Sequence, residues 1–124
     1  MSTLRADTIQ NTSGGAVTLT NQSAAKAWAN FNGTGTISFY DSFNCGSLTD
    51  NGTGDHFVNF TNNMSSSSYA RLWTAGQSGF GANPDTIDHS EGTSSQNRVQ
   101  CRRNDNNSNA DCNDVNFAGL GDLA

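Results

Sequence analysis

The sequence has few large apolar side chains: Ile, Leu, Val and Phe account for only 20 of its 124 residues. A share this low is typical of disordered chains. Charged residues make up only 14%, however, and the net charge is −5, so the strong charge repulsion that keeps such chains open is missing. A chain of this size buries about two-thirds of its unfolded surface when it folds alone. We therefore expect a folded oligomer that buries apolar surface between subunits.

Residues that favour helices are equally scarce, because Lys26 is the one lysine and Glu91 the one glutamate. Asn, Ser, Thr and Gly instead fill 58 positions, and these residues are typical of turns and strand edges. Residues 23–27 could form one helical turn with Ser23 as its N-cap. Apart from that turn, the composition predicts an all-β chain.

No stretch approaches the ~20 apolar residues that cross a membrane, and the first residues lack the apolar core of a secretory signal. The net negative charge disfavours binding to the phosphates of nucleic acids. Three arginines, Arg98, Arg102 and Arg103, form a local cluster, which we expect to pair with acidic groups of a neighbouring subunit. The sequence predicts neither membrane insertion nor a nucleic-acid partner.

Alternating apolar and polar residues predict several short strands, at about 28–31, 37–43, 46–50, 55–60, 69–74, 97–103 and 115–120. Asn-Gly steps at 32–33 and 51–52 predict tight turns between strands. Short strands at regular spacing indicate a compact antiparallel β-sandwich or barrel-like domain. We place this domain at residues 25–124 and an extended N-terminal arm at residues 1–24.

The three cysteines give an odd count, so at least one thiol is free or pairs between chains. A final hairpin centred near Asn106 and Asn107 would place Cys101 opposite Cys112. A disulfide closing this short loop and two reduced thiols both fit that arrangement. Cys45 is expected to act as a small core hydrophobe.

Patterns for catalysis or metal binding are weak. The cysteines and histidines lack zinc-site spacing, and the calcium-like spacing of Asp105, Asn107 and Asn109 is not followed by the glutamate that such loops need. His56 and His89 each follow an aspartate, but adjacent residues of a strand point to opposite faces. We therefore expect both histidines at the surface, and we predict no catalytic residue, metal or cofactor.

Residues 3–20, 25–34, 40–44, 47–64 and 114–122 together carry a resemblance to a known class of proteins. They resemble the small fibre-like virion proteins of tailed bacteriophages, particularly phages of aquatic bacteria and cyanobacteria. Residues 65–113 match that class only in general character.

The resemblance implies a trimeric, mostly β, non-enzymatic virion component that is assembled in the host cytoplasm. Its N-terminal arm would dock onto the particle or pair with its own copies, and the candidate docking residues are Leu4, Ile9, Val17 and Leu19. The β domain would face outward. The loop residues that we expect to contact host surface glycans are Phe80, Asn83, Asn106 and Asn107.

The sequence leaves three functions open. The chain could be a short fibre on tail or collar proteins, or a capsid cement or decoration protein that clamps the major capsid protein. The second alternative stays open because the chain lacks the long shaft of a host-range fibre. A third function is that of a carbohydrate-binding module, with Trp28, Tyr69 and Trp73 stacking on sugars, although aromatic residues in strands more often belong to the core.

Overall fold

The computed structural model describes residues 9–14, 24–76, 86–89, 91–103 and 105–124, with the backbone alone for residues 86–89. Its strands are β1 (Ala25–Asn32), β2 (Ser38–Phe43), β3 (Cys45–Asp50), β4 (Asp55–Phe60), β5 (Ala70–Gly76), β6 (Thr86–His89), β7 (Gln96–Arg102) and β8 (Asp114–Leu120). The first sheet has the order β2-β1-β8-β5 and the second sheet the order β3-β4-β7-β6, and all pairings are antiparallel. This all-β sandwich confirms the predicted fold class.

One core lies between the two sheets, and alternate residues of the four inner strands fill it, as the period of two in a strand requires. Phe60 of the second sheet stacks on Phe117 of the first, with ring centroids 5.8 Å apart, and meets Tyr69 edge to face at 5.9 Å. The inward-facing buried residues of these strands are Ala27, Ala29, Phe31, His56, Val58, Phe60, Asn97, Val99, Cys101, Val115 and Phe117. The same core therefore holds both sheets together.

The turn between β3 and β4 forms at the predicted Asn-Gly step. The Asn51 amide donates to the Asp55 carbonyl oxygen and the Asp55 amide to the Gly52 carbonyl oxygen, each at 2.9 Å. Gly54 has a φ of 65°, and a Cβ atom at this position would lie 2.6 Å from the Cys101 carbonyl oxygen. Glycine is required at position 54 both by its backbone conformation and by this close approach of β7.

The predicted helical turn at residues 23–27 is wrong, because β1 already begins at Ala25. This strand pairs with β2 on one side and with β8 on the other. Alanine has the highest intrinsic helix propensity, but Ala27 and Ala29 are buried in the core as part of a strand, so tertiary pairing overrides their local preference. Ser23 lies outside the described residues.

The last two predicted strands exist but do not form a hairpin with each other, since β7 belongs to the second sheet and β8 to the first. A short hairpin does follow β7: the Arg103 amide donates to the Ser108 carbonyl oxygen at 2.9 Å, and the Ala110 amide to the Cys101 carbonyl oxygen at 3.1 Å. Ala110, and not Cys112, therefore lies opposite Cys101. Beyond Ala110 the chain crosses to the first sheet.

The described part of the arm is residues 9–14 and residue 24. Residues 11–14 form a turn in which the Gly14 amide donates to the Asn11 carbonyl oxygen at 3.0 Å, and Ile9 is 57% exposed. Leu4, Val17 and Leu19 lie outside the described residues, so the docking role of the arm stays a prediction. Within the described ranges, no helix has the length and apolar character that crossing a membrane demands.

Candidate interaction face

The outer face of the first sheet carries a line of apolar side chains that crosses all four of its strands. Phe43 of β2 pairs with Trp28 of β1, Trp28 with Ala118 of β8, and Ala118 with Leu72 of β5. Directly paired residues share one face of a sheet, and Ala29, next to Trp28, points into the core. Phe43 is 48% exposed and Leu72 is 59% exposed. We call Phe43, Trp28, Ala118 and Leu72 the apolar row.

The surroundings of the apolar row differ on its two sides. On one side, Leu120 pairs with Ala25 and with Ala70, which extends the apolar surface. On the other side lies a polar group in which the Asn30 amide nitrogen donates to Asp114 Oδ1 at 2.6 Å and to Asn116 Oδ1 at 2.8 Å. The row thus lies in the middle of the face, with a hydrogen-bonded polar group on one side.

A hollow of about 290 Å³ lies beside the β5 end of the apolar row. The methyl group of Ala118 stands between the larger side chains of Trp28 and Leu72, which leaves the surface low at this point. The residues that line the hollow are Leu72, Trp73, Thr74, Asn116, Phe117 and Ala118. Its size is at the lower end of ligand pockets, so it suits a single protruding side chain better than a large ligand.

Two of the three aromatic residues considered for sugar stacking belong to the core. Tyr69 is buried, its hydroxyl donates to Asn97 Oδ1 at 3.1 Å, and burial raises the pKa of Tyr69 to about 12. Trp73 is half-buried, with its ring centroid 4.4 Å from that of Phe117. Only Trp28 lies on an outer face, where it belongs to the apolar row.

The outer face of the second sheet is largely polar, and it carries a partly buried ion pair. Arg98 donates from Nε to Asp55 Oδ1 at 2.8 Å and from Nη2 to Asp55 Oδ2 at 2.7 Å. Asn51 adds a third donor to the carboxylate at 2.7 Å. The hydrogen bonds from Arg98 hold the pKa of Asp55 below its usual value despite desolvation, which acts in the opposite direction. The Arg98 guanidinium also lies over the ring of Phe57, 5.8 Å from its centroid.

We expected Arg98, Arg102 and Arg103 to meet acidic groups of a neighbouring subunit. Arg98 and Arg103 are paired within the chain, and contact with a neighbouring subunit stays a prediction. Arg103 donates to both carboxylate oxygens of Asp105, at 3.1 and 3.0 Å, on the exposed hairpin after β7. Asp55 meets Arg98 because β4 and β7 are neighbours in the second sheet, which places the two residues diagonally across from each other.

His56 is buried, which contradicts its predicted surface position. Its side chain is 1% exposed and meets Phe31 edge to face, with ring centroids 5.9 Å apart. The ring is inward because His56 shares its face of β4 with Val58 and Phe60. Among the described residues, His56 Nδ1 has no hydrogen-bond partner. The side chain of His89 lies outside the described residues.

All three cysteines carry thiols in the structure, and Cys101 and Cys112 are completely buried. Cys112 was predicted to lie opposite Cys101, and this is wrong. The register of the hairpin after β7 differs by two residues, so Ala110 lies opposite Cys101. Cys45 is half-buried against the core, as predicted, and its thiol donates to the Trp28 carbonyl oxygen at 3.3 Å. Burial raises the pKa of Cys45 to about 12, so it is a poor nucleophile at neutral pH.

Two of the four residues predicted for glycan contact lie within the described part of the chain. Asn106 and Asn107 lie on the exposed tip of the hairpin after β7, where Asn106 Oδ1 accepts hydrogen bonds from the Ser108 amide and hydroxyl at 3.0 and 2.6 Å. Phe80 and Asn83 lie outside the described residues. In the part of the chain that the structure describes, no three His, Cys, Asp or Glu side chains are grouped as a metal site requires.

Comparison of the chain with protein-family models, with curated protein sequences and with solved structures found no match. Among the described residues, the apolar row with its adjoining hollow is the feature best suited to contact another surface.

Proposed function

We propose that the chain is a non-enzymatic structural component of a tailed-bacteriophage virion, a short fibre-like homotrimer attached through its N-terminal arm. The observation that carries this proposal is the apolar row. The core between the two sheets is already filled, yet the outer face of the first sheet still presents Phe43 and Leu72 to solvent. An exposed apolar surface of this kind, with polar groups around it, is typical of a protein interaction site.

The polar residues support a structural role. Asp55 and Arg98, which form the most buried ion pair described, bond to each other and join β4 to β7. Asn59 likewise donates to Ser47 and Thr49 side chains across β3 and β4, at 3.1 and 2.9 Å. These groups use their bonding capacity to hold strands together, and a protein whose polar side chains are engaged in this way is suited to assembly.

The sequence resemblance to fibre-like virion proteins agrees with the position of the apolar row. Two of the similar segments, residues 25–34 and 40–44, contain Trp28 and Phe43, and a third, residues 114–122, contains Ala118. The partners that we propose are further copies of the chain and the tail or collar proteins of the particle. The exposed hairpin tip with Asn106 and Asn107 would face the host surface, where glycans offer matching hydroxyl groups.

Purified particles of the phage that encodes the chain test the proposal. Quantitative mass spectrometry should find the chain in density-purified virions at a small fraction of the copy number of the major capsid protein. A copy number close to that of the major capsid protein would instead favour the capsid decoration function. Absence of the chain from purified particles, with its presence confirmed in the infected cell, would overturn both.

The attachment role of the arm has its own test. Deletion of residues 1–20 should abolish incorporation into particles and leave the β signal in circular dichroism unchanged, because the described core lies entirely within residues 27–117. Equal incorporation of the truncated and full-length chains would contradict this role.

A further inference from the structure

The geometry of the first sheet points to the way in which three copies associate, and we infer that the apolar row is the subunit interface of the homotrimer. The outer faces of three first sheets would turn toward a common three-fold axis, with Trp28 nearest the axis. This inference rests on the proposed function only for the number of copies, because the face itself follows from strand register.

The two ends of the apolar row are complementary to each other. Phe43, at the β2 end, is a protruding aromatic ring that is 48% exposed. The β5 end carries the hollow of about 290 Å³ next to Leu72 and Ala118. A contact that joins one end of a surface to the other end of the next copy, without the reverse contact, is heterologous, and such contacts form a ring where the rotation between copies closes. Phe43 of each copy would then enter the hollow of its neighbour.

The width of the first sheet fits a three-fold arrangement. Four strands at their usual spacing of about 4.8 Å make a face about 19 Å wide. Three such faces arranged as a triangular prism lie about 5.5 Å from the central axis, whereas two packed sheets are about 10 Å apart, or about 5 Å from their midplane. Side chains of ordinary length would therefore fill the prism.

The outer face of the second sheet does not offer the same contact. Its central side chains include Arg98 and Asp55, which bond to each other, and Asn59, which bonds to Ser47 and Thr49. Burial of this face against another copy would remove water from these polar groups without giving them new partners. Substitutions at exposed positions of this face therefore serve as matched controls.

Light scattering coupled to size-exclusion chromatography tests the interface directly. The unaltered chain should have about three times the 13.1 kDa chain mass. Trp28→Asp should shift the protein to the mass of one chain, and circular dichroism should show that it keeps its β structure. Thr49→Asp, on the outer face of the second sheet, should remain trimeric. A trimeric Trp28→Asp variant, or an unaltered chain that is monomeric at all concentrations, would overturn the inference.

Cysteine cross-linking distinguishes three-fold from two-fold association and does not depend on the folding of Trp28→Asp. A chain with both Phe43→Cys and Leu72→Cys should form, on mild oxidation, a covalent trimer on a non-reducing gel. A two-fold contact would also join these positions but would stop at a covalent dimer, which would overturn the inference. Each single variant should give no species larger than a covalent dimer.

Failure of this inference is distinguishable from failure of the proposed function. If the chain is found in virions but Trp28→Asp stays trimeric and the double-cysteine variant gives no covalent trimer, the proposed function stands and the interface lies elsewhere. If the cross-linked trimer forms but the chain is absent from virions, the interface stands and the virion function is wrong.

Discussion

The two outer faces of the sandwich differ in the side chains that they present to the surroundings. Both sheets turn their inner side chains into one core, and both present their other side to the surroundings. The outer face of the second sheet is covered by side chains that bond to one another, with the Asp55–Arg98 ion pair at its centre. The outer face of the first sheet carries the apolar row, in which Phe43 and Leu72 are about half exposed. A face whose polar side chains are hydrogen-bonded to one another can remain exposed to solvent, whereas the apolar row gains stability only when another surface covers it.

The chain has few large hydrophobic residues, and they are divided between the core and the outer face of the first sheet. The core holds only a few large side chains, among them Phe31, Phe60 and Phe117, and its remaining positions are filled by small residues such as Ala27 and Ala29. Trp28, one of the two tryptophans, is nevertheless directed outward. The use of a scarce large side chain on the outside supports a role in association.

Both outer faces are supported by a single core. Phe60→Ala, which removes a large side chain from this core, should have the largest effect on stability. Phe60 contacts Phe117 of the first sheet and Tyr69, so its loss leaves a cavity between the sheets. Chemical denaturation should show a loss of about 3–5 kcal/mol in the free energy of unfolding. Phe57→Ala, on the polar outer face of the same strand, is the matched control and should cost about 1 kcal/mol. Equal losses would show that the faces do not share one core.

Arg98→Ala tests whether the hydrogen bonds among polar side chains on the outer face of the second sheet stabilise the protein. This change leaves the nearly buried Asp55 carboxylate without its two strongest hydrogen bonds, so we expect a loss of about 1–3 kcal/mol in the free energy of unfolding. Arg103→Ala breaks a pair of the same chemistry on the exposed hairpin and should leave the melting temperature unchanged within error. If the two variants melt at the same temperature, the polar face owes little to its ion pair.

The same ion pair predicts a dependence on pH. The folded-state pKa of Asp55 is lowered from 3.8, so its contribution to stability is complete above that ordinary value and is lost as the pH falls through the lowered pKa. The difference in unfolding free energy between the unaltered chain and Arg98→Ala should therefore be constant between about pH 5 and pH 8 and shrink below about pH 4. A difference that persists undiminished at about pH 2 would contradict the assigned cause.

The smallest expected effects come from two asparagines that bridge strands, one on each outer face. Asn30 bonds to Asp114 and Asn116 beside the apolar row, and Asn59 bonds to Ser47 and Thr49 on the second sheet. Each substitution by Ala should lower the unfolding free energy by about 0.5–1 kcal/mol, because each removes solvent-accessible hydrogen bonds. A clearly larger loss for Asn30→Ala would indicate that this asparagine also lies within the interface that we propose.

Local features of the fold could be read from the sequence. Residues 55–60 were predicted as a strand with the bounds that β4 has, because the alternation within the strand and the Asn-Gly step before it are both local signals. The same alternation could have corrected the position of His56, which is spaced by two from Val58 and by four from Phe60. A histidine in phase with two inward residues is itself directed inward. β6 was missed because its four residues contain one large apolar side chain, Ile87.

Features that depend on which strands become neighbours could not be predicted. The turn signal at Asn106 and Asn107 is satisfied by a short hairpin, and it says nothing about the sheet that β8 joins afterwards. The apolar row is the clearest case, because its four residues come from four strands and no periodic pattern links them. Trp28 was considered for sugar stacking, but its place in one row with Phe43, Ala118 and Leu72 can be recognised only when the strand register is known.

The central place of β8 in the first sheet has a consequence for synthesis on the ribosome. β1 and β2 emerge early and can pair at once, but the partner of β1 on its other side lies 86 residues later along the chain, as the Asn30–Asn116 contact shows. Until β8 enters between β1 and β5, Leu72 is separated from Trp28 and Phe43, and the row is incomplete. Long-range pairing of this kind is slow compared with hairpin formation. Association of copies through the apolar row, as we propose it, therefore requires that β8 has already left the ribosome.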